Sequence, residues 1–118
     1  MSRGDIWTVS GGGDYVGKAR PAVIIQDDSF EAIGSVTVCA FTTQAAEAPL
    51  LRLPVEPTEQ NGLRAPCQLM VDKITSVSRA KLGTHIGRLD QDDILRLNRA
   101  LLVFLGLAVP PRRGRRAG

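Results

Sequence analysis

Apolar and polar residues alternate in short stretches along most of this chain before residue 90. The clearest stretch is residues 35–41, in which Val36, Val38 and Ala40 share one face of a predicted strand. Shorter stretches predict further strands at residues 5–9, 22–26, 50–55, 68–71, 73–77 and 83–89. Glycine, proline and asparagine separate several of these stretches, and such residues favour tight turns. The pattern therefore predicts a mainly β protein built of short strands.

The hydrophobic period changes near residue 90. Apolar residues at positions 94, 97, 101, 104 and 105 follow the spacing of an amphipathic helix. Asp90 is a suitable N-cap, and Asp93 places a further carboxylate in the first turn, where the helix dipole favours negative charge. Gly106 lies close to the expected C-cap. Short strands followed by one helix predict a small, partly open barrel with helical attachments.

Two segments lack a regular period. Residues 10–17 contain four glycines, and because glycine leaves the backbone almost unrestrained, we predict a mobile loop here. Loops of this length in a compact domain are usually either functional or disordered. Residues 110–118 carry four arginines and are predicted to form a basic, disordered tail on a single domain spanning residues 1–109. The tail could contact phosphate groups or only keep the protein in solution, and the sequence leaves both possibilities open.

Composition and charge narrow the class of protein. A length of 118 residues suits one domain with a modest core, and 43% apolar with 23% charged residues is ordinary for a soluble globular protein. No apolar run approaches the roughly 20 residues that a membrane helix needs. The first residues are not followed by the apolar stretch of a secretory signal, so a cytoplasmic location is predicted. The net charge of +3 is weak support for a polyanionic partner, because subtracting the four tail arginines leaves about −1.

Few side chains are available for metal or histidine chemistry. His85 is the only histidine in the chain, which excludes a pair of catalytic histidines or a histidine-dependent triad within one chain. Cys39 and Cys67 lie in apolar stretches and lack the spacing of a metal site, so free buried thiols are favoured over a disulfide. Neither a metal site nor a cofactor is predicted.

One arginine and one threonine are suited to metal-free cleavage of RNA. When an internal 2′-hydroxyl attacks the phosphodiester, the phosphorane that forms carries extra negative charge. Arg20, just ahead of the strand predicted at residues 22–26, can present two donors to two phosphate oxygens. Thr42, at the end of the strand predicted at residues 35–41, can add a hydroxyl donor. Spacing alone does not show that the two meet, and each also fits an ordinary surface or turn position.

Several segments resemble motifs of the MazF/PemK family of toxin ribonucleases, and they occur in the same order. They are Gly4-Asp5-Ile6-Trp7, Arg20-Pro21-Ala22-Val23-Ile24-Ile25, Ala40-Phe41-Thr42-Thr43-Gln44, Asn61-Gly62-Leu63, Gln68-Leu69-Met70-Val71-Asp72-Lys73-Ile74 and the helical residues 101–107. Each motif is weak alone. Together they run from Gly4 to about Leu107, nearly the whole chain, and form one strong signal.

This resemblance implies an SH3-like barrel with a C-terminal helix that works as a homodimer. It implies cleavage of single-stranded RNA at short sequence motifs without a metal, leaving a 2′,3′-cyclic phosphate and a 5′-hydroxyl, and a cognate antitoxin protein that holds the enzyme inactive. Arg20 corresponds to the family's phosphate-binding and acid–base group, and Thr42 to its partner in the transition state. Because an arginine gives up its proton only at high cost, we favour electrostatic stabilisation as the role of Arg20.

Five further side chains are candidates for RNA contacts: Asp14, Tyr15, Lys18, Gln44 and Lys73. Many family members carry Gly-x-Glu-Gln where this chain has residues 13–16, so cleavage specificity does not transfer across this loop. Asp14 keeps a carboxylate there. The ring of Tyr15 could stack on a base or fold back over the mouth of the barrel. Lys18 and Lys73 could contact phosphates or be solvated surface lysines.

Two functions of other classes compete with the ribonuclease. A gyrase-poisoning toxin similar to CcdB would share the barrel and cut nothing, but that family depends on a Trp-Gly-Ile C-terminus and this chain ends Arg-Arg-Ala-Gly. A non-catalytic SH3-like module could bind nucleic acid or ribosomal partners. In that protein Arg20 and Thr42 would have no effect on RNA integrity.

Overall fold

The computed structural model describes residues 1–10 and 18–109, and these residues form an antiparallel sheet followed by one helix. The strands of this described part are β1 (Asp5–Val9), β2 (Arg20–Ile24), β3 (Ser35–Thr42), β4 (Arg52–Val55), β5 (Cys67–Met70), β6 (Thr75–Ser78) and β7 (Leu82–Arg88). The helix is α1 (Gln91–Phe104), and short 3-10 helices cover Asp28–Phe30, Val71–Lys73 and Arg79–Lys81. The loop predicted at residues 10–17 lies outside this part except for Ser10, and so does the tail predicted at residues 110–118.

Strand β3 is the centre of the sheet. The strands follow one another in the order β4-β5-β3-β2-β1-β7, and β6 pairs with β3 beside this path. The first half of β3 pairs with β6 and its last residues, Phe41 and Thr42, pair with β5. All of these pairings are antiparallel. The partly open barrel with short strands and a C-terminal helix is the predicted fold class.

Two apolar clusters lie on the two faces of this sheet. The first, which we call the helix-side core, includes Ile6, Val23 and Cys39 of the strands and Leu97 of α1. The second, which we call the opposite-face cluster, consists of six buried residues: Val9, Ala22, Ile24, Val36, Val38 and Ala40. Neighbouring residues of one strand fall into different clusters because side chains alternate across a strand. The face predicted for residues 35–41 is therefore confirmed.

The helix begins and ends where its capping residues predict. The Asp90 carboxylate accepts a hydrogen bond of 2.8 Å from the backbone N–H of Asp93, which satisfies one of the free donors of the first turn. After Phe104 the backbone N–H of Leu105 still bonds back to the carbonyl of Leu101 at 2.9 Å. Gly106 then adopts a φ of +77°, the left-handed conformation in which glycine commonly ends helices.

Some strand boundaries differ from those predicted. Strand β2 begins at Arg20, so this arginine is part of the sheet rather than ahead of it. The prediction of a strand beginning at Lys73 is wrong, because this lysine ends the 3-10 helix Val71–Lys73 and β6 starts only at Thr75. Arg52 of β4 forms a salt bridge with Asp72 of that 3-10 turn, which helps to hold the chain in the tighter conformation.

A buried asparagine organises the turn before β5. The side-chain oxygen of Asn61 accepts from the backbone N–H groups of Thr58 at 2.9 Å and Leu63 at 3.0 Å. Its amide nitrogen donates to the carbonyl of Glu56 at 2.9 Å. The next residue, Gly62, has a φ of +70° and packs so closely on β7 that a Cβ would lie 2.0 Å from the Ile86 carbonyl oxygen. The Asn-Gly pair thus has a structural role here.

Both cysteines are free and buried, as predicted. Burial, and secondly the nearby carboxylate of Asp72, raise the pKa of the Cys39 thiol to about 12. Burial also raises the pKa of the Cys67 thiol above its ordinary value. Within the described residues, no helix has the length and apolar character required to span a membrane.

Candidate active site

The register between β2 and β3 brings the two candidate catalytic residues to one place. Ala22 pairs with Ala40, and the next two pairs, Val23 with Cys39 and Ile24 with Val38, set the antiparallel register of these strands. Extended by two residues, this register puts Arg20 directly opposite Thr42. Because paired residues of an antiparallel sheet project to the same face, both share the face of Ala22 and Ala40. The sequence separates Arg20 from Thr42 by a strand and a loop, and the sheet brings them together.

Neighbouring strands hold these two positions from both sides. Arg20 pairs with Val9 of β1, and Thr42 pairs with Gln68 of β5. With the β2–β3 register extended in this way, the four residues line up across four strands in the order Val9, Arg20, Thr42 and Gln68. A row inside a sheet is a rigid support, since each backbone is fixed by the strands beside it. Such support is what a site needs when donors must be positioned before the substrate arrives.

A surface cavity of about 260 Å³ opens at the start of β2 and the end of β3. Its described lining consists of Lys18, Ala19, Arg20, Pro21, Phe41, Thr42, Thr43 and Cys67. Phe41 and Cys67 belong to the helix-side core, so the cavity sits at the end of the barrel, where the core meets solvent. Its size suits a small group such as one phosphate with part of its sugar.

The charge of the cavity favours an anion. Two of the described lining residues, Lys18 and Arg20, are cations with exposed side chains, and none of them is a carboxylate. Two hydroxyl groups, on Thr42 and Thr43, add neutral donors. Field lines concentrate in a recess with apolar walls, so like charges gathered there attract a phosphate more strongly than they would on a flat surface.

The hydroxyl of Thr42 is oriented by the loop that follows β3. The backbone N–H of Gln44 donates to Thr42 Oγ1 at 3.1 Å. The Thr42 oxygen therefore acts as an acceptor toward its own loop, which leaves its O–H available as a donor to a ligand. This hydrogen bond gives the backbone of Gln44 a positioning role. The contact predicted between the Gln44 side chain and RNA stays a prediction.

Gln68 and Cys67 are neighbours of the site that the sequence did not single out. The side chain of Gln68 accepts from the backbone N–H of Ala46 at 3.1 Å and donates to the Ala46 carbonyl at 3.3 Å. This pair of bonds ties the loop after β3 to β5. Cys67 lines the cavity, and its thiol donates to the Ala65 carbonyl at 3.2 Å. Only the β3–β5 register brings both residues here, and a local pattern does not reveal such a register.

The remaining predicted contacts do not all gather at the cavity. Lys18 lines it, whereas Lys73 is exposed in the 3-10 turn that follows the other end of β5 and is absent from the described lining. Asp14 and Tyr15 lie outside the described residues. Over residues 1–10 and 18–109, no group of three or more histidine, cysteine or acidic side chains is arranged to hold a metal ion.

Comparison with solved structures identifies the fold. The chain superposes on a mycobacterial endoribonuclease solved in complex with its cognate antitoxin, with a TM-score of 0.77 and 22% identity over 93% of this chain and 99% of that one. It also superposes on the Mycobacterium tuberculosis toxin MazF-mt6, with a TM-score of 0.73 and 24% identity over 86% and 96% of the two chains. At these identities the likeness is one of fold.

Comparison of sequences goes further. The chain is 54% identical to a probable endoribonuclease MazF of Mycolicibacterium smegmatis over 108 residues, which are 92% of this chain and 99% of that protein. Residues 2–105 match the model of the family described as PemK-like, MazF-like toxin of type II toxin–antitoxin system. The chain therefore belongs to the PemK-like, MazF-like family of toxins of type II toxin–antitoxin systems.

Proposed function

We propose that this toxin is an endoribonuclease that cuts single-stranded RNA at short sequence motifs without a metal ion and so inhibits translation. Its products are a 2′,3′-cyclic phosphate and a 5′-hydroxyl end. The observation that carries the proposal is the juxtaposition of Arg20 and Thr42 across paired strands, at a cavity whose described lining holds two cations. The name of the relative with 54% identity, a probable endoribonuclease MazF, supports the same activity.

The proposed chemistry follows from the charge of the transition state. The 2′-hydroxyl loses its proton to water as its oxygen attacks the neighbouring phosphorus and a new oxygen–phosphorus bond forms. The bond to the 5′-oxygen of the next nucleotide breaks, and that oxygen takes a proton from water to become the 5′-hydroxyl. The two parallel N–H groups of the Arg20 guanidinium bind two phosphate oxygens as they gain charge. The Thr42 hydroxyl donates to the same group. A guanidinium does not release its proton in proteins, so Arg20 acts by electrostatic stabilisation and not by proton transfer.

Further contacts to the RNA chain belong to the same proposal. Lys18 lies at the cavity and is placed to neutralise a phosphate next to the scissile one. Gln44 and Lys73 provide polar contacts farther along the RNA. Asp14 and Tyr15 belong to the loop that sets the sequence motif, with Tyr15 stacking on a base.

The proposed protein partners are a cognate antitoxin and a second copy of the chain, in the cytoplasm. The antitoxin blocks the loop of residues 11–17 or the cavity with an acidic amphipathic or extended segment, since carboxylates complement a cationic recess. A mycobacterial endoribonuclease of the same fold has been solved with its antitoxin, which supports this arrangement. Exposed apolar side chains near the end of α1, among them Leu102, Phe104 and Leu105, support association with another protein surface.

The test is to incubate the purified protein with a long RNA in excess EDTA and to sequence the 5′-hydroxyl ends. Ends that cluster at one short motif are expected. Intact RNA would contradict the proposal and favour a toxin similar to CcdB or a non-catalytic binding module. Cleavage that EDTA abolishes and a divalent ion restores would contradict the metal-free mechanism.

A further inference from the structure

An aromatic pair lies on the sheet near the proposed active site. Trp7 of β1 pairs with His85 of β7, and the centroids of their rings are 5.3 Å apart with the planes tilted by 31°. Trp7 is half-buried and packs against the opposite-face cluster. The side chain of His85 is 49% exposed. One ring is thus anchored in the protein while the other presents a surface to solvent.

This pair shares a sheet face with the two candidate catalytic residues. Val9 pairs with Arg20, and Trp7, two residues away on β1, pairs with Ala22. Side chains two residues apart on a strand project to the same face, so Trp7 lies one step, roughly 7 Å, from the row that contains Arg20. His85 lies one strand farther out. The distance from the cavity to the aromatic pair along this face is therefore one that a few nucleotides of an RNA strand would span.

The ring of His85 is held in place before any ligand binds. Its Nε2 lies 3.8 Å from the Asp5 carboxylate. That carboxylate is itself fixed, because Arg88 donates to it at 3.0 Å and the backbone N–H of Ser2 donates to it at 2.8 Å. With Trp7 on one side and Asp5 beside it, the His85 ring loses little freedom when a ligand stacks on it, which favours binding.

We propose that the exposed ring of His85, supported by Trp7, is a stacking site for an RNA base that flanks the scissile phosphate. The inference rests on the proposed ribonuclease function. Unstacked bases of single-stranded RNA bind to protein chiefly by stacking on aromatic side chains beside cationic contacts. Arg88, whose partly exposed guanidinium is ion-paired with Asp5, lies at the far side of His85, and Arg20 lies at the near side.

The experiment measures binding of a 2′-O-methyl copy of an RNA segment that the wild-type protein cuts. The methyl group blocks the attacking oxygen, so binding is separated from cleavage. His85→Ala is expected to weaken binding by roughly 5- to 150-fold, the effect of losing one base–aromatic stack. His85→Phe keeps a ring and should retain most of the affinity. Phe30→Ala is the matched control, since it removes an exposed aromatic ring that lies near the other end of β2.

A second measurement uses the wild-type protein and needs no variant to fold. Trp7 is the only tryptophan in the chain. Protein fluorescence excited at a wavelength that tyrosine does not absorb therefore reports on this site alone. A base stacked on His85 should change that emission in step with binding measured by fluorescence anisotropy of the labelled RNA.

The possible outcomes separate the two proposals. If the wild-type protein cuts RNA and binds the analogue, but His85→Ala binds equally well and the Trp7 emission is unchanged at saturation, the stacking site is wrong and the ribonuclease stands. If the wild-type protein neither cuts nor binds RNA, both proposals fail. Weaker binding of His85→Ala, retained binding of His85→Phe and a change in emission together support the stacking site.

Discussion

Two arginines begin strands in the described part of the chain, and their surroundings differ. Arg52, the first residue of β4, has a side chain that is only 15% exposed and forms a salt bridge with Asp72. Arg20, the first residue of β2, is exposed and lines a cavity beside Lys18. The same residue type at the same kind of position thus packs against the protein in one region and faces a phosphate-sized opening in the other.

A cysteine lies near each of these two arginines, and the two cysteines also differ in their surroundings. Cys39, in the helix-side core, is close enough to Asp72 and Arg52 for both charges to influence its pKa. Cys67 lines the cavity with Arg20. We call the first set the interior region and the second the cavity region. The comparison teaches that burial, rather than residue type, separates an arginine that supports the fold from one that lines a cavity open to a ligand.

The largest expected effect comes from Arg20→Ala. Removing a positioned cationic donor to the phosphorane should lower the rate of RNA cleavage by about 100- to 1000-fold and abolish growth inhibition on expression. The melting temperature should change little, because the side chain is exposed. Cleavage is measured by following a labelled RNA, and melting by circular dichroism.

Arg20→Lys is the matched variant, since it keeps the charge and loses the planar pair of donors. If the two parallel donors of arginine contribute to binding the phosphate, the cleavage rate of Arg20→Lys should lie between the rates of the parent and of Arg20→Ala. A folded Arg20→Ala protein that remains as toxic as the parent would mean that the cavity region is not the active site.

Much of the fold was predictable, and the site was predictable only in part. Asp90 and Gly106 mark the ends of α1 because caps act through residues adjacent in the chain. The two faces of β3 follow from alternation, which is local too. The pairing of Arg20 with Thr42 depends on a register between strands separated by a loop, and no short pattern contains that information. The resemblance to the family is what predicts that Arg20 and Thr42 act together.

The same reason explains what was missed. Gln68 supports the loop after β3 only because β5 pairs beside Thr42. The strand predicted at residues 73–77 begins two residues too early, because Lys73 belongs to a 3-10 turn at which Arg52 and Asp72 form a salt bridge. Long-range contacts decided both positions.

The interior region should respond to mutation in the opposite way from the cavity region. Arg52→Ala leaves the Asp72 carboxylate without its charged partner and removes a half-buried side chain, so we expect the free energy of unfolding to fall by about 1–3 kcal/mol. Cleavage per folded molecule should stay at the parental level. Urea unfolding followed by circular dichroism, together with cleavage assays below the transition, checks both expectations. If Arg52→Ala lost cleavage activity with unchanged stability, the structural role assigned to Arg52 would be wrong.

A smaller effect is expected from Thr42→Val, which has nearly the same shape and lacks the hydroxyl. Loss of one neutral donor to the transition state should slow cleavage roughly tenfold. Thr42→Ser keeps the hydroxyl and is the control. If valine and serine variants cleave at the parental rate, the loop-oriented hydroxyl of Thr42 has no part in the reaction and Arg20 acts without it.

The smallest expected effect is a difference between the two cysteines in their reaction with iodoacetamide. The thiolate is the reactive form, so a raised pKa makes both thiols slow near neutral pH and faster as the pH rises. Cys39, which is fully buried and has a pKa of about 12, should be the slower of the two, because Cys67 lines a cavity open to the reagent. A bound 2′-O-methyl RNA fills the cavity that Cys67 lines and does not enter the helix-side core that holds Cys39. It should therefore slow the alkylation of Cys67 several-fold while leaving Cys39 unchanged. Peptide mass spectrometry distinguishes the two sites, and equal protection of both cysteines would indicate that RNA tightens the whole fold rather than filling the cavity.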